Sequence, residues 1–201
     1  MILHSWLRCC SFDVFTLTFW RVLNMIRTTS RDRAKSESIR FAVGECSLGS
    51  ILVAATEQGI CSISLGDDPA ALVRELQARF SMTQLTDSDQ DLKPMMAKVA
   101  GFVEAPWLGL DLPLDVRGTS FQQRVWQALR EIPAGSTASY GEIAERIGAP
   151  EKAYDVGQAC ASNVIAVAIP CHRAVRKNGA LAGYRWGVAR KRTLLEREAR
   201  A

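Results

Sequence analysis

Within the run IAVAIPCHRAV, residues 165–175, Cys171 stands directly before His172, and the one other histidine of the chain is His4. A cysteine becomes a nucleophile when its thiolate is populated by a nearby base, a cation or a helix N-terminus, so this pair could carry covalent chemistry. Neighbouring side chains point apart in regular structure. A relay from thiol to imidazole therefore needs a turn, which Pro170 could supply, or a bridging water. The alternative is a structural pair at the end of a buried apolar strand. The cysteines at 9, 10, 46, 61, 160 and 171 have no regular spacing and form no C-x-x-C pair. That pattern predicts neither a zinc site nor a disulfide framework, but reduced thiols in a cytoplasmic protein. No glycine-rich loop of the kind that cradles a nucleotide is present, so no cofactor is expected.

The elements that must position the pair lie in the last two fifths of the chain. TSFQQRVWQALREI reads as a helix with Phe121, Val125, Ala128, Leu129 and Ile132 on one face, ended by Pro133 and Gly135. SYGEIAERIG opens with Ser139 and Glu142 in capping-box spacing and stops at Gly148 and Pro150. A second helix follows over 153–161. Two short helices joined by a tight turn form a helix-turn-helix, whose second helix meets DNA in many proteins and serves packing in others. Upstream, 39–45, 50–56 and 59–65 are β-prone runs separated by glycine-containing turns, an antiparallel meander. Pro69 starts a helix with Leu72, Val73, Leu76 and Phe80 on one face, another helix covers 92–103, and LGLDLPLDV reads as extended.

The fold class expected is α+β, in three parts: a tail at 1–38, an α+β domain at 39–117 and a helix-turn-helix domain at 118–201. Their formal charges are +3, −5 and +6, which places the basic excess, and any polyanion, with the last part. In the tail, Arg8, Asp13 and Arg21 interrupt the aromatic stretch. It is too short for the ~18 apolar residues of a membrane span and lacks the marks of a signal peptide. It reads as a disordered tail, or as sequence upstream of a true start at Met25.

IPCHRAV, preceded by Asn163 eight residues before the cysteine and followed by GALAGYRWG and LLEREA, resembles the O6-alkylguanine-DNA alkyltransferases, in particular the C-terminal methyltransferase part of bacterial Ada proteins. The likeness runs from about residue 40 to the C-terminus and is strongest from residue 118. It implies a ribonuclease-H-like N-terminal domain followed by a winged-helix-like DNA-binding domain. It further implies a monomer that repairs double-stranded DNA by taking the methyl group of O6-methylguanine, and of O4-methylthymine, irreversibly onto Cys171. By the same resemblance His172 is the base acting through a water, Glu198 the carboxylate that orients it, and Asn163 a brace for the active-site turns. Tyr140 turns the target phosphate and meets the flipped base, Tyr184 and the backbone around Arg185 form a pocket lid, and the carbonyls of Cys171 and Ala174 accept from the guanine amine. Arg173, between those carbonyls, belongs with the same DNA- and base-binding set. Since O6 of a paired guanine is engaged in the duplex, attack requires flipping the nucleotide out.

The chain departs from the family in two neighbouring places. The family has an arginine in the recognition helix seventeen residues before the cysteine, to fill the hole left by the flipped base; here that position is Tyr154, followed by Asp155 where a small residue is usual. Tyrosine could occupy the gap by stacking. Asp155 opposes phosphate approach, so weakened DNA affinity with intact thiol chemistry is expected. Ala174 replaces a usual valine, and Cys9 and Cys10 lack the spacing of the zinc-binding part of full-length Ada proteins, so neither a metal nor an activator role by that route is expected. The competing readings are a non-catalytic or impaired lesion-binding regulator of the same fold, and a helix-turn-helix protein with a structural role.

Overall fold

A computed structural model describes residues 38–200. The expectations for the tail, with Cys9, Cys10 and Met25, fall outside the described residues.

Strands β1 (Ser38–Cys46), β2 (Gly49–Ala55) and β3 (Ile60–Gly66) form the expected antiparallel meander, with Arg40 opposite Ala55 and Ile51 opposite Leu65. Gly49 at the first turn has φ +102°, and a Cβ there would lie 2.6 Å from the Gly66 carbonyl oxygen, so the turn requires glycine. Helix α1 (Pro69–Arg79) starts on Asp68, whose carboxylate accepts from the Ala70 N–H at 2.9 Å, and buries Leu72 and Leu76 against Ile39, Phe41 and Leu52.

A strand that the pattern did not predict, β4 (Gln84–Asp87), then pairs in parallel with β1, giving the sheet order β3-β2-β1-β4. QLTD is short, polar and largely exposed, so it carries no alternating apolar signal. Helix α2 (Asp89–Glu104) buries Leu92, Val99 and Val103. Helices on both faces account for the uninterrupted burial of β2 and β3. The stretch expected to be extended at 108–116 is mostly irregular; it touches the sheet where Leu114 bridges Ile60.

Helix α3 (Ser120–Arg130) opens with a capping box of Thr119 and Gln122, and α4 (Tyr140–Arg146) with the expected box of Ser139 and Glu142. Helix α5 (Ala153–Ala161) follows α4 after a tight turn, and the indole N–H of Trp126 on α3 donates to the Ala159 carbonyl at 2.8 Å, fixing α5 against α3. Short strands β5 (Ala138–Ser139) and β6 (Ala174–Val175) pair in parallel, and α6 (Val188–Glu198) ends the fold.

The core runs without a break across residue 118, joining Ile51 and Ile63 of the sheet to Val125, Leu129, Ile143, Val156, Ile165 and Leu194 of the helices. The contact that matters for the site is at the outer edge of β3. Ile63 donates to the Val164 carbonyl and accepts from the Ala166 N–H, both at 2.9 Å. The sheet thus holds the segment that leads into Cys171. Among the described residues no helix is long and apolar enough to cross a membrane, and no group of three metal-ligating side chains is arranged to hold an ion.

Candidate active site

The apolar run before Cys171 is not a strand. From Asn163 to Pro170 the backbone is a series of tight turns, with Val167 at φ 58°, a rare conformation for a β-branched residue. Pro170 has φ −80° and ψ 59°, and the Cys171 N–H donates to the Ile169 carbonyl at 2.8 Å, an inverse γ-turn that feeds a 3-10 turn over Cys171–Arg173. Proline supplies the turn because its ring fixes φ near this value.

The amide of Asn163 holds the turns from inside. Its Nδ2 donates to the Ile169 carbonyl at 2.9 Å and to Cys171 Sγ at 3.2 Å, while its Oδ1 accepts from the Ile165 N–H at 2.9 Å. The residue is completely buried. It connects the end of α5 to the thiol.

His172 turns away from the thiol toward α6. Its Nε2 lies 2.8 Å from Glu198 Oε1, with both side chains buried. Burial alone would raise the Glu198 carboxyl, but the hydrogen bonds and charges of His172 and Arg173 outweigh it and bring its pKa down to about 2. An ionised carboxylate only accepts, so Nε2 carries the ring proton and Nδ1 is left as an acceptor. That Nδ1 is buried without a protein partner. Burial lowers the His172 pKa against the opposing pull of Glu198, and burial pushes the Cys171 thiol up to about 11, against the Asn163 hydrogen bond and the Lys191 charge. At neutral pH the thiol and the imidazole are therefore both uncharged.

Arg173 corrects an expectation. Placed by the resemblance among DNA- and base-binding residues, it is buried instead: its Nε and Nη2 donate to Glu198 at 2.8–3.2 Å and its Nη1 to the Ile132 carbonyl at 2.5 Å. The fork of the guanidinium suits the carboxylate, and the charge is neutralised inside the protein. Arg173 thus stands behind the histidine, not toward solvent.

A cavity of about 350 Å³ opens onto Cys171, lined by Tyr140, Gly157, Cys160, Ala161, Gly183, Tyr184 and Arg185. This lies in the size range of small-molecule sites. Burial raises the Tyr140 pKa to about 12, so its hydroxyl remains a donor. The Tyr184 hydroxyl is buried without a protein partner, and its ring packs edge-on to His172 at 6.3 Å and to Trp186 at 5.1 Å. Larger hollows elsewhere, such as the groove beside α3, contain none of the thiol or histidine chemistry.

The fold thus gathers Cys171, His172, Glu198, Asn163, Tyr140, Tyr184 and Arg185. Tyr154 stands apart, 77% exposed in the first turn of α5, and Asp155 beside it is exposed as well. Tyr154 precedes the cavity-lining Gly157 and Ala161 by three and seven residues, the spacing of one helix face, so it lies on the rim side of the wall. The carbonyl of Ala174 accepts from Lys191 Nζ at 2.6 Å, and Lys191 is completely buried. Sequence reasoning passed over Lys191 and Cys160. Lys191, Leu194 and Glu198 share one face of α6, so the spacing from Glu198 would have found the lysine.

Comparison with known proteins agrees along most of the described chain. Residues 39–105 match the family described as 6-O-methylguanine DNA methyltransferase, ribonuclease-like domain, and residues 120–200 match its DNA binding domain. The chain is 47% identical over 177 residues to the bifunctional transcriptional activator/DNA repair enzyme Ada of Escherichia coli, an alignment covering 88% of this chain and 50% of that protein. It is 36% identical over 150 residues to the inducible methylated-DNA–protein-cysteine methyltransferase of Bacillus subtilis, covering 74% and 84%. The chain spans about half the length of the first curated relatives it matches. Among solved structures, Mycobacterium tuberculosis OGT in complex with DNA superposes with a TM-score of 0.69 at 36% identity, over 80% of this chain and 93% of that one.

Proposed function

The chain belongs to the 6-O-methylguanine DNA methyltransferase family, and from that premise we propose that it repairs double-stranded DNA by moving the alkyl group of O6-alkylguanine onto Cys171. One arrangement carries the proposal: a buried thiol at the wall of a cavity of small-molecule size, and on the next residue an imidazole with one nitrogen on a carboxylate and the other unpartnered. The S–C bond forms as the C–O6 bond breaks. The thiol proton passes through a water to His172 Nδ1, Glu198 and the adjacent network hold the resulting imidazolium, and in net terms that proton returns to the departing guanine. This is the nucleophile, base and orienting-acid logic with a water inserted.

Asn163 keeps Sγ in place, Tyr140 donates to the flipped base, and Tyr184 and Arg185 cover it, with the Cys171 and Ala174 carbonyls near the exocyclic amine. The part from residue 118 onward meets the duplex and the part before it supports the turns. Tyr154 stacks into the gap that the flipped nucleotide leaves. O4-methylthymine presents the same alkyl-oxygen bond and is a second substrate. The chain acts as a cytoplasmic monomer without a cofactor. Because a thioether is a very poor leaving group at neutral pH, each molecule acts once.

The test is stoichiometric. Duplex carrying methyl-labelled O6-methylguanine is incubated with excess DNA and the label on protein counted. Transfer close to one methyl group per chain, abolished in Cys171→Ser, is the expected result. Binding of the lesion without transfer of label would overturn the proposal in favour of a sensor.

A further inference from the structure

Among the residues that line the cavity, Arg185 alone carries a charge, and it is not free. Its guanidinium is ion-paired to Glu75 of α1, and its Nη1 donates to the Ala161 carbonyl at 3.4 Å. The pair ties a helix packed on the sheet to the cavity wall, 110 residues away along the chain. Arg79, one turn beyond Glu75 on α1, feels the charge of Arg185 and is exposed. Glu75 is therefore ion-paired to one guanidinium and within electrostatic range of a second. On α5, which supplies Gly157, Cys160 and Ala161 to the cavity wall, the first turn carries exposed Tyr154 and Asp155, and Lys152 before it lies over the Phe121 ring at 5.4 Å.

We propose that Glu75 is a positioning residue that holds Arg185, and with it the Gly183–Arg185 side of the cavity, until a DNA phosphate takes its place. The inference rests on the DNA-binding function proposed above. A carboxylate and a phosphate compete for the same planar fork of donors. The pair is reachable by such a competitor, with side-chain exposures of 26% for Arg185 and 41% for Glu75, and ion pairs at this boundary are weakly held. Handing Arg185 to a phosphate frees Glu75 to gather a cation from solution, so the exchange releases little net salt. Without Glu75 the same contact adds a full phosphate neutralisation.

The experiment measures equilibrium binding to a duplex containing O6-methylguanine between 50 and 200 mM salt, in a Cys171→Ser background so that no transfer occurs. Glu75→Gln should bind more tightly at the low end. Its log–log salt slope should steepen by about 0.9, which over this fourfold range is an additional loss of roughly 3.5-fold. Arg185→Ala should bind more weakly, and in that background Glu75→Gln should have no effect. A Glu75→Gln chain with unaltered slope and affinity overturns the inference, as does an effect of equal size when Arg185 is absent, which would be a general charge effect. Failure of the Cys171→Ser chain to bind the duplex at all would overturn the parent function and this inference together. Thermal unfolding of each variant checks that the fold is kept, as expected for a pair at the surface.

Discussion

Replacing Glu198 by glutamine keeps the shape of the side chain and removes its charge. In the native protein that carboxylate accepts from His172 Nε2 at 2.8 Å, from Arg173 Nε at 3.0 and 3.2 Å and from Arg173 Nη2 at 2.8 Å. All three residues are at most 6% exposed, so the Arg173 charge left behind has little access to water. Breaking a buried pair by removing one partner costs about 3–5 kcal/mol. The shift of the carboxyl from 4.5 to about 2 leads independently to about 3 kcal/mol. Because the folded-state pKa is depressed, this stability is complete above the unfolded value of 4.5 and is lost as pH falls through about 2. The difference between the native chain and Glu198→Gln, measured by denaturant unfolding, should therefore be largest at neutral pH and shrink below pH ~4.5. Adding Arg173→Met to Glu198→Gln should restore much of the stability, since removing both buried charges is far less costly than removing one. It should not restore methyl transfer, which is expected to fall roughly 100- to 10,000-fold with the loss of the orienting carboxylate. Equal stability of Glu198→Gln and the native chain at pH 7, or a deficit unchanged down to pH 3, would refute the reasoning.

Asn163→Ala leaves the Ile165 N–H buried and unpaired, while the Ile169 carbonyl loses one of its two donors and keeps the Cys171 N–H. For that one unsatisfied donor it should cost about 1–3 kcal/mol in denaturant unfolding, together with slower transfer because Sγ loses its tether. Tyr184→Phe removes a buried hydroxyl that has no partner in the free protein, so its unfolding temperature should be unchanged or higher while single-turnover transfer slows. The double change Tyr154→Arg with Asp155→Ala should raise duplex affinity by adding a cation and removing an exposed anion on α5, read by titration at fixed salt; unchanged affinity would show that these positions stay away from phosphate.

The helices around the site were written locally. Ser139 with Glu142 marked the start of α4, apolar spacing marked the buried face of α3, and the bounds 153–161 matched α5, because caps and periodicity act within a few residues. The order of Asn163, Cys171, His172 and Glu198 was legible as a constellation through its likeness to a family. The direction of each side chain was not. Arg173 sits between two residues expected to face the base, yet a carboxylate 25 residues later draws it inward. Strand β4 and the anchoring of Val164 on the edge of β3 depend on pairings across the chain that leave little mark on short polar or turn sequence. The sequence by itself determined which groups could react and which helices carry them. Tertiary structure decided which nitrogen of His172 is free, that Lys191 is buried on the Ala174 carbonyl, and that Glu75 holds Arg185. Those outcomes follow from packing and charge pairing between segments up to 110 residues apart, a distance over which spacing along the chain carries no information.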